Sequence, residues 1–313
     1  MKRAESIFSF IVSFIAFVSI VVVIVTGINN NKEESDSTMQ KEVTKIETGE
    51  FNKINISLLN SNIQVLDSVD NTIKIVYFER EGNTYTYSAE GGFLQLVERS
   101  SFSLFSCRGF NFRPETAKLY LPIDWEGVLK IESTNGSLKL ENRAKLKRLT
   151  MESTNGSIIL SNVEVVEYVE LDITNGSLEV KHVNAGEYVT AETTNGTVRV
   201  DNVEAAEYVT AKTTNGEIKA TNLVSEKLEI ATTNGEITVN NATFNRIKVH
   251  TTNSSINVTI KGTKEDYSIE MDTVNGSVYL NDEKISKGTI STGKEKEITL
   301  TTTNGSVKLK FIE

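Results

Sequence analysis

The sequence predicts an all-β protein: a parallel β-helix, or β-solenoid, of about 20-residue coils preceded by one N-terminal transmembrane helix. Three observations carry that expectation. A Thr-Asn-Gly corner returns at a nearly fixed period, as in "AETTNGTVRVDNVEAAEYVTAKTTNGEIKATN" from Ala191 to Asn222. Apolar and polar residues alternate on both sides of each corner, the period-2 signature of half-buried strands. Residues 7–28 form a run of 22 residues without a charge.

That run, "IFSFIVSFIAFVSIVVVIVTGI", is long enough at about 1.5 Å rise per residue to cross a hydrocarbon layer of about 30 Å. A cleaved signal peptide is the competing reading. Its apolar core is usually about 7–15 residues and ends in a small-residue site, whereas this run continues into "NNNKEESD". No cysteine follows the run closely enough to carry a lipid anchor. Lys2 and Arg3 precede it, so the positive-inside bias leaves residues 1–6 as a cytoplasmic tip and exports the remainder. The expected localisation is the cell membrane, single-pass, with the lipid bilayer as a partner through residues 7–28. Residues 29–45 are polar and aperiodic and read as a flexible linker.

The solenoid is expected over residues 46–313. Its corner pairs are Asn135–Gly136, Asn155–Gly156, Asn175–Gly176, Asn195–Gly196, Asn215–Gly216, Asn234–Gly235, Asn275–Gly276 and Asn304–Gly305, with Asn253 followed by Ser254 instead. Successive asparagines are 20, 20, 20, 20, 19, 19, 22 and 29 residues apart. Val189, Ala191 and Thr193 point one way and Thr190, Glu192 and Thr194 the other, and Val198 and Val200 continue the apolar face. Each unit is therefore two short strands and two bends. A meander of hairpins could use Asn-Gly turns. A second column, Asn142, Asn162, His182, Asn202, Asn222 and Asn241, favours stacked coils, because equivalent residues then lie about 4.8 Å apart and their amides can bond along the stack. Gly beside each corner Asn is expected to take a positive φ, and the preceding Ser or Thr to add hydroxyl bonds. One coil buries too little to order its own backbone, so coils must stabilise one another and the ends need caps. Residues 54–77 read as a degenerate first coil with Asn60 at its corner. Residues 100–116, with four phenylalanines, read as an irregular insertion or cap, and a polar excursion separates Asn275 from Asn304. About ten or eleven coils result, roughly 50 Å long, right-handed by the crossover rule.

The N-terminal anchor, "NSNIQVLDSVDNTIKI", "LPIDWEGVLKIESTNGSLKL" and the recurrent "TTNG" corners together resemble the putative-adhesin family of bacterial domains of unknown function, which includes LiaG-like envelope proteins. The resemblance covers residues 46–313 and implies a β-solenoid at the cell envelope without an established activity, and it supplies no catalytic residues. Bactofilin-type β-helices are a more distant likeness, since they lack the exported, tethered arrangement.

Composition narrows the function. The net charge of -9, with Lys and Arg dispersed among acids, argues against nucleic acid. A single cysteine, Cys107, precludes an internal disulfide framework, and two distant histidines, His182 and His250, supply no zinc constellation. No cofactor is expected. Cys107 beside Arg108 is read as a free thiol in the insertion. Glu132, Glu152, Asp172 and Glu192 form an acidic column that continues as Lys212. Calcium could relieve its repulsion, but splayed carboxylates neutralised by Lys139, Lys181 and Arg199 account for it without metal. Tyr168, Tyr188 and Tyr208 recur beside Glu167, Glu187 and Glu207, a pattern that could pack on sugar rings of a cell-wall polymer or merely cover a bend. The Asn-x-Ser/Thr triplets come from the corner itself and are not read as glycosylation sites. The expected function is a non-catalytic, membrane-anchored adhesin or scaffold. Its partners would be a wall polymer, an envelope protein or a second copy of the chain. An envelope-stress sensor acting through membrane partners and a polysaccharide-acting enzyme are the alternatives.

Overall fold

The structure is a computed structural model that describes residues 40–100 and 115–312. The expected cytoplasmic tip, the span 7–28, residues 29–39 of the linker, and residues 101–114 of the insertion with Cys107 and Arg108 lie outside the described residues. Among the described residues no helix is long and apolar enough to cross a membrane.

The chain builds two long sheets, one of 14 strands and one of 13. The coil of Asn195 shows how. Its first strand, Tyr188–Asn195, lies in the 13-stranded sheet, and after the corner Val198–Ala205 lies in the 14-stranded one. Neighbouring strands run parallel in unbroken register, Val189 facing Val169 and Val209, so the hairpin meander is excluded. Apolar side chains from both sheets meet between them: Val189, Ala191, Val198, Val200, Val203 and Ala205 are all buried, and equivalent apolar residues fill most levels, with buried Arg143 in the Val203 column and Ser225 in the Ala205 column as exceptions.

Simple alternation would turn Val203 outward. Asn202, at φ 53°, resets the phase so that both Val200 and Val203 point inward. The whole second column shares this left-handed conformation, from Asn142 at φ 57° through His182 at φ 50° to Asn241 at φ 55°. Asparagine is among the few side-chain-bearing residues that adopt it cheaply. The expectation that the corner glycines need positive φ is thereby corrected. Only Gly156 and Gly176 among them have one, 153° and 154°, close to extended backbone. What excludes a side chain is proximity: a Cβ on Gly196 would stand 1.8 Å from the carbonyl oxygen of Gly176.

The corner asparagines form one continuous amide ladder. Asn135 donates from Nδ2 to Oδ1 of Asn60 (2.7 Å), Asn155 to Asn135 (2.7 Å), Asn195 to Asn175 (2.8 Å) and Asn215 to Asn195 (2.8 Å). Inside the corner, hydroxyls of Ser153, Thr193 and Thr213 donate to the carbonyls of Gly136, Gly176 and Gly196. Buried corner carbonyls thus find their partners on the neighbouring coil.

Chain order and stacking order part company at both ends. Asn304 bonds to Asn253, and Asn275 bonds to Asn304, so the last coil of the sequence, Lys296–Thr302 with Val307–Ile312, lies between the coils of Asn253 and Asn275. At the other end Lys53–Leu58 and Ser61–Ser68 form the second level, covered by Phe93–Ser100 and Glu115–Pro122. Antiparallel strands close the outermost levels: Ile73–Arg80 and Asn83–Glu90 at one end, Glu283–Ile285 and Gly288–Ser291 at the other. Gln40–Glu47 adds to Ile73–Arg80, so residues 40–45, expected in the linker, are strand. Excluding these five antiparallel strands leaves eleven parallel strands in each sheet, hence eleven coils.

Candidate functional site

The outward face of the 13-stranded sheet collects the predicted residues. Along strand Tyr188–Asn195, the side chains of Tyr188, Thr190, Glu192 and Thr194 alternate with the inward residues, and parallel register repeats each position as a column. The face is therefore ruled by an aromatic column, a mixed Thr/Glu column, an acidic column and a threonine column.

Tyr168 and Tyr188 stack with centroids 4.9 Å apart and planes 3° from parallel, and Tyr188 and Tyr208 at 4.7 Å and 6°. This close to face-to-face geometry is set by the coil spacing rather than by the rings' own preference for offset or tilted contact. The carboxylate that meets the ladder is Glu170: the Tyr188 hydroxyl donates to its Oε1 at 2.9 Å. Burial and this carboxylate raise the phenol's pKa well above the ordinary value. Glu170 was not singled out in the sequence, although it lies two residues after Tyr168 on the same side of its strand. Glu167, predicted beside the rings, instead pairs with Arg148 and Lys147. The bond from Arg148 holds the Glu167 carboxyl below its usual range. The Arg148 guanidinium also covers the outer face of Tyr168 at 5.4 Å. Glu187 and Glu207 make backbone contacts to one another along the stack, Glu207 N–H donating to the Glu187 carbonyl at 2.8 Å.

The acidic column does not use the cations expected for it. Lys139 and Lys181 follow their corners, lie in the other sheet, and pair with Glu141 and Glu179; Arg199 likewise lies in that sheet. Lys130 instead bridges Glu132 (2.9 Å) and Glu152 (3.1 Å), and Lys212 reaches Glu192 at 3.8 Å and Glu229 at 3.0 Å. Asp172 stands between these pairs, and burial followed by the charge of Glu192 raises its pKa. A shallow trough of about 400 Å³ runs along Asp172, Glu192, Lys212 and His250, flanked by Thr194 and Thr214. His250 makes a 3.0 Å contact through Nδ1 to Thr301 Oγ1. Among the described residues no group of three or more His, Cys, Asp or Glu side chains is arranged to hold a metal ion.

The aromatic column ends asymmetrically. In the coil above Tyr208 its register partner is Lys227, and above that Arg246. A cleft of about 390 Å³ opens there, lined by Tyr208, Thr210, Lys227, Glu229, Arg246 and Lys248. The sequence signal was present: extending the tyrosine column by one period beyond Tyr208 gives Lys227.

The family model for Toastrack DUF4097 matches residues 51–310. Among solved structures, the chain is similar to one described as a putative adhesin from Bacteroides fragilis, at 16% identity and TM-score 0.42, covering 88% of this chain and 99% of that one. Two further structures described as putative adhesins, from Parabacteroides distasonis and Parabacteroides merdae, are 12% and 14% identical, each with TM-score 0.43 and coverage of 87% of this chain and 97% of the other. No curated protein matches the chain.

Proposed function

The chain belongs to the Toastrack DUF4097 family, and from that premise we propose that it is a non-catalytic adhesive or scaffolding element of the cell envelope, held at the membrane by residues 7–28. The observation that carries this reading is the stacked Tyr168–Tyr188–Tyr208 ladder on a sheet face ruled at constant spacing. Such a face is rigid before it meets a ligand, so contact loses little conformational freedom, and its period suits an extended, repeating partner better than a small substrate. The carboxylates fit the same reading. Glu132 and Glu152 share Lys130, and Glu192 shares Lys212 with Glu229, which leaves them as ion-paired surface rather than a poised acid and base.

The test is sedimentation of the purified full chain with isolated envelope material, alongside Tyr188→Ala combined with Tyr208→Ala. The double variant is expected to bind about tenfold more weakly, as removal of two aromatic contacts predicts. Retention of wild-type binding would remove the aromatic face from the adhesive reading. Protease protection in intact cells tests the exported topology: the domain is expected to be cleaved from outside.

A further inference from the structure

The two ends of the tyrosine ladder differ in a way the adhesive reading leaves unused. At one end the outer face of Tyr168 is covered by Arg148, itself held by Glu167. At the other, the ring of Tyr208 has Tyr188 on one side, and the register position on its second side belongs to Lys227 rather than to a fourth ring. That side gives onto the cleft of Lys227, Lys248 and Arg246. Lys227 and Lys248 are exposed and have no ion-pair partner among the described residues, while Arg246 is tied to Glu297 and the acid of the cleft, Glu229, to Lys212. Two ammonium groups without an ion-pair partner among the described residues, beside the last ring of the ladder, stand out on a chain of net charge -9. Thr210, buried beneath them, supplies a hydroxyl at the floor.

We propose that this cleft binds an anionic saccharide, one sugar ring packing beside Tyr208 in the cleft and its carboxylate or phosphate meeting Lys227 and Lys248. The aromatic face selects a ring with an apolar C–H surface. The lysines select negative charge and steer a polyanion towards the end of the ladder. The proposal deepens the adhesive reading by naming a ligand class and the place where it seats.

Calorimetric titration of the full chain tests it with four probes: a galacturonate hexamer, a hexose-phosphate oligomer, a neutral maltohexaose and inorganic polyphosphate. At least one of the two anionic saccharides is expected to bind more tightly than both maltohexaose and polyphosphate, and the tighter of the two identifies the anion. Tyr208→Leu is expected to weaken it about tenfold. Lys227→Gln with Lys248→Gln, at exposed positions that leave the core untouched, is expected to do the same and to flatten the salt dependence. Removing the same charge from the other sheet, by Lys219→Gln with Lys308→Gln, is expected to leave affinity unchanged. The proposal is overturned if neither anionic saccharide binds, or if polyphosphate binds as tightly and Tyr208→Leu has no effect. Loss of envelope binding in the Tyr188/Tyr208 double variant without any saccharide binding would leave the adhesive reading standing and the cleft assignment refuted; the reverse pattern would do the opposite.

Discussion

Each corner asparagine donates in one direction only. Asn195 gives its Nδ2 hydrogen to Asn175 and accepts from Asn215 on Oδ1, so a ladder member needs both halves of the amide. Asn60 begins the ladder and is used there only as an acceptor, from Asn135. Asparagine-to-aspartate substitution therefore has a sign that depends on position. Asn195→Asp keeps the acceptor, loses the donor and sets an oxygen against Asn175 Oδ1, and should destabilise the domain by about 1–2 kcal/mol. Asn60→Asp turns a neutral bond into a charge-assisted one and should be neutral or stabilising by up to about 1 kcal/mol near pH 7. That gain depends on ionisation, so it should fade as pH falls through the carboxyl's folded pKa, which the bond from Asn135 holds below the unfolded value. Chemical denaturation of both variants at pH 7 and pH 3 measures this. Equal losses at the two positions would mean that the ladder has no polarity.

At the scale of one coil, spacing was the readable quantity and phase was not. The 20-residue interval between Asn135, Asn155 and Asn175 contains the parallel register directly, because only stacked equivalents repeat in this way. The φ > 0 column was visible as recurring Asn, yet its effect, turning Val203 and Ala205 inward with Val200, depends on a backbone angle that no side-chain pattern states. Gly186 was missed for a related reason. It lies outside the Asn-Gly motif, but a Cβ there would stand 2.0 Å from the carbonyl oxygen of Val166. Ion pairing was misread because charges close in sequence across a corner belong to different sheets. A further consequence sits at Ser225, which occupies the inward column between Ala205 and Phe244. Its Oγ is buried without a hydrogen-bond partner. Ser225→Ala removes the unsatisfied hydroxyl with little loss of volume and should stabilise the domain by about 1 kcal/mol. A lowered unfolding midpoint for this variant would show that the hydroxyl is satisfied in solution.

For the whole molecule, the placement of the ends decides how the stack holds together. A solenoid laid down strictly in chain order would lose its last coil by simple peeling, since each repeat contacts only its neighbours. Here the chain passes over one level after Lys261, builds the coil of Tyr267–Thr273 and Val278–Leu280, turns back through two short antiparallel strands, and fills the skipped level with Lys296–Thr302 and Val307–Ile312. Ile298, Leu300, Val307 and Leu309 are buried in that level, with coils above and below. The C-terminal segment thus acts as a keystone, and the sheet edge beyond it is covered by short strands that discourage addition of another chain. A chain ending at Ser291 would lose an interior level and leave the coil above it without a parallel partner on its inner side. Hydrogen exchange on that truncated chain should show amides of Tyr267–Thr273 and Val278–Leu280 exposed along with the missing level, while Tyr188–Asn195 and Val198–Ala205 stay protected near the centre of the stack. Persistent protection of Tyr267–Thr273 would mean that the outer coil drops by one level onto Arg246–Thr251, and that equivalence between coils outweighs the order in which the chain places them.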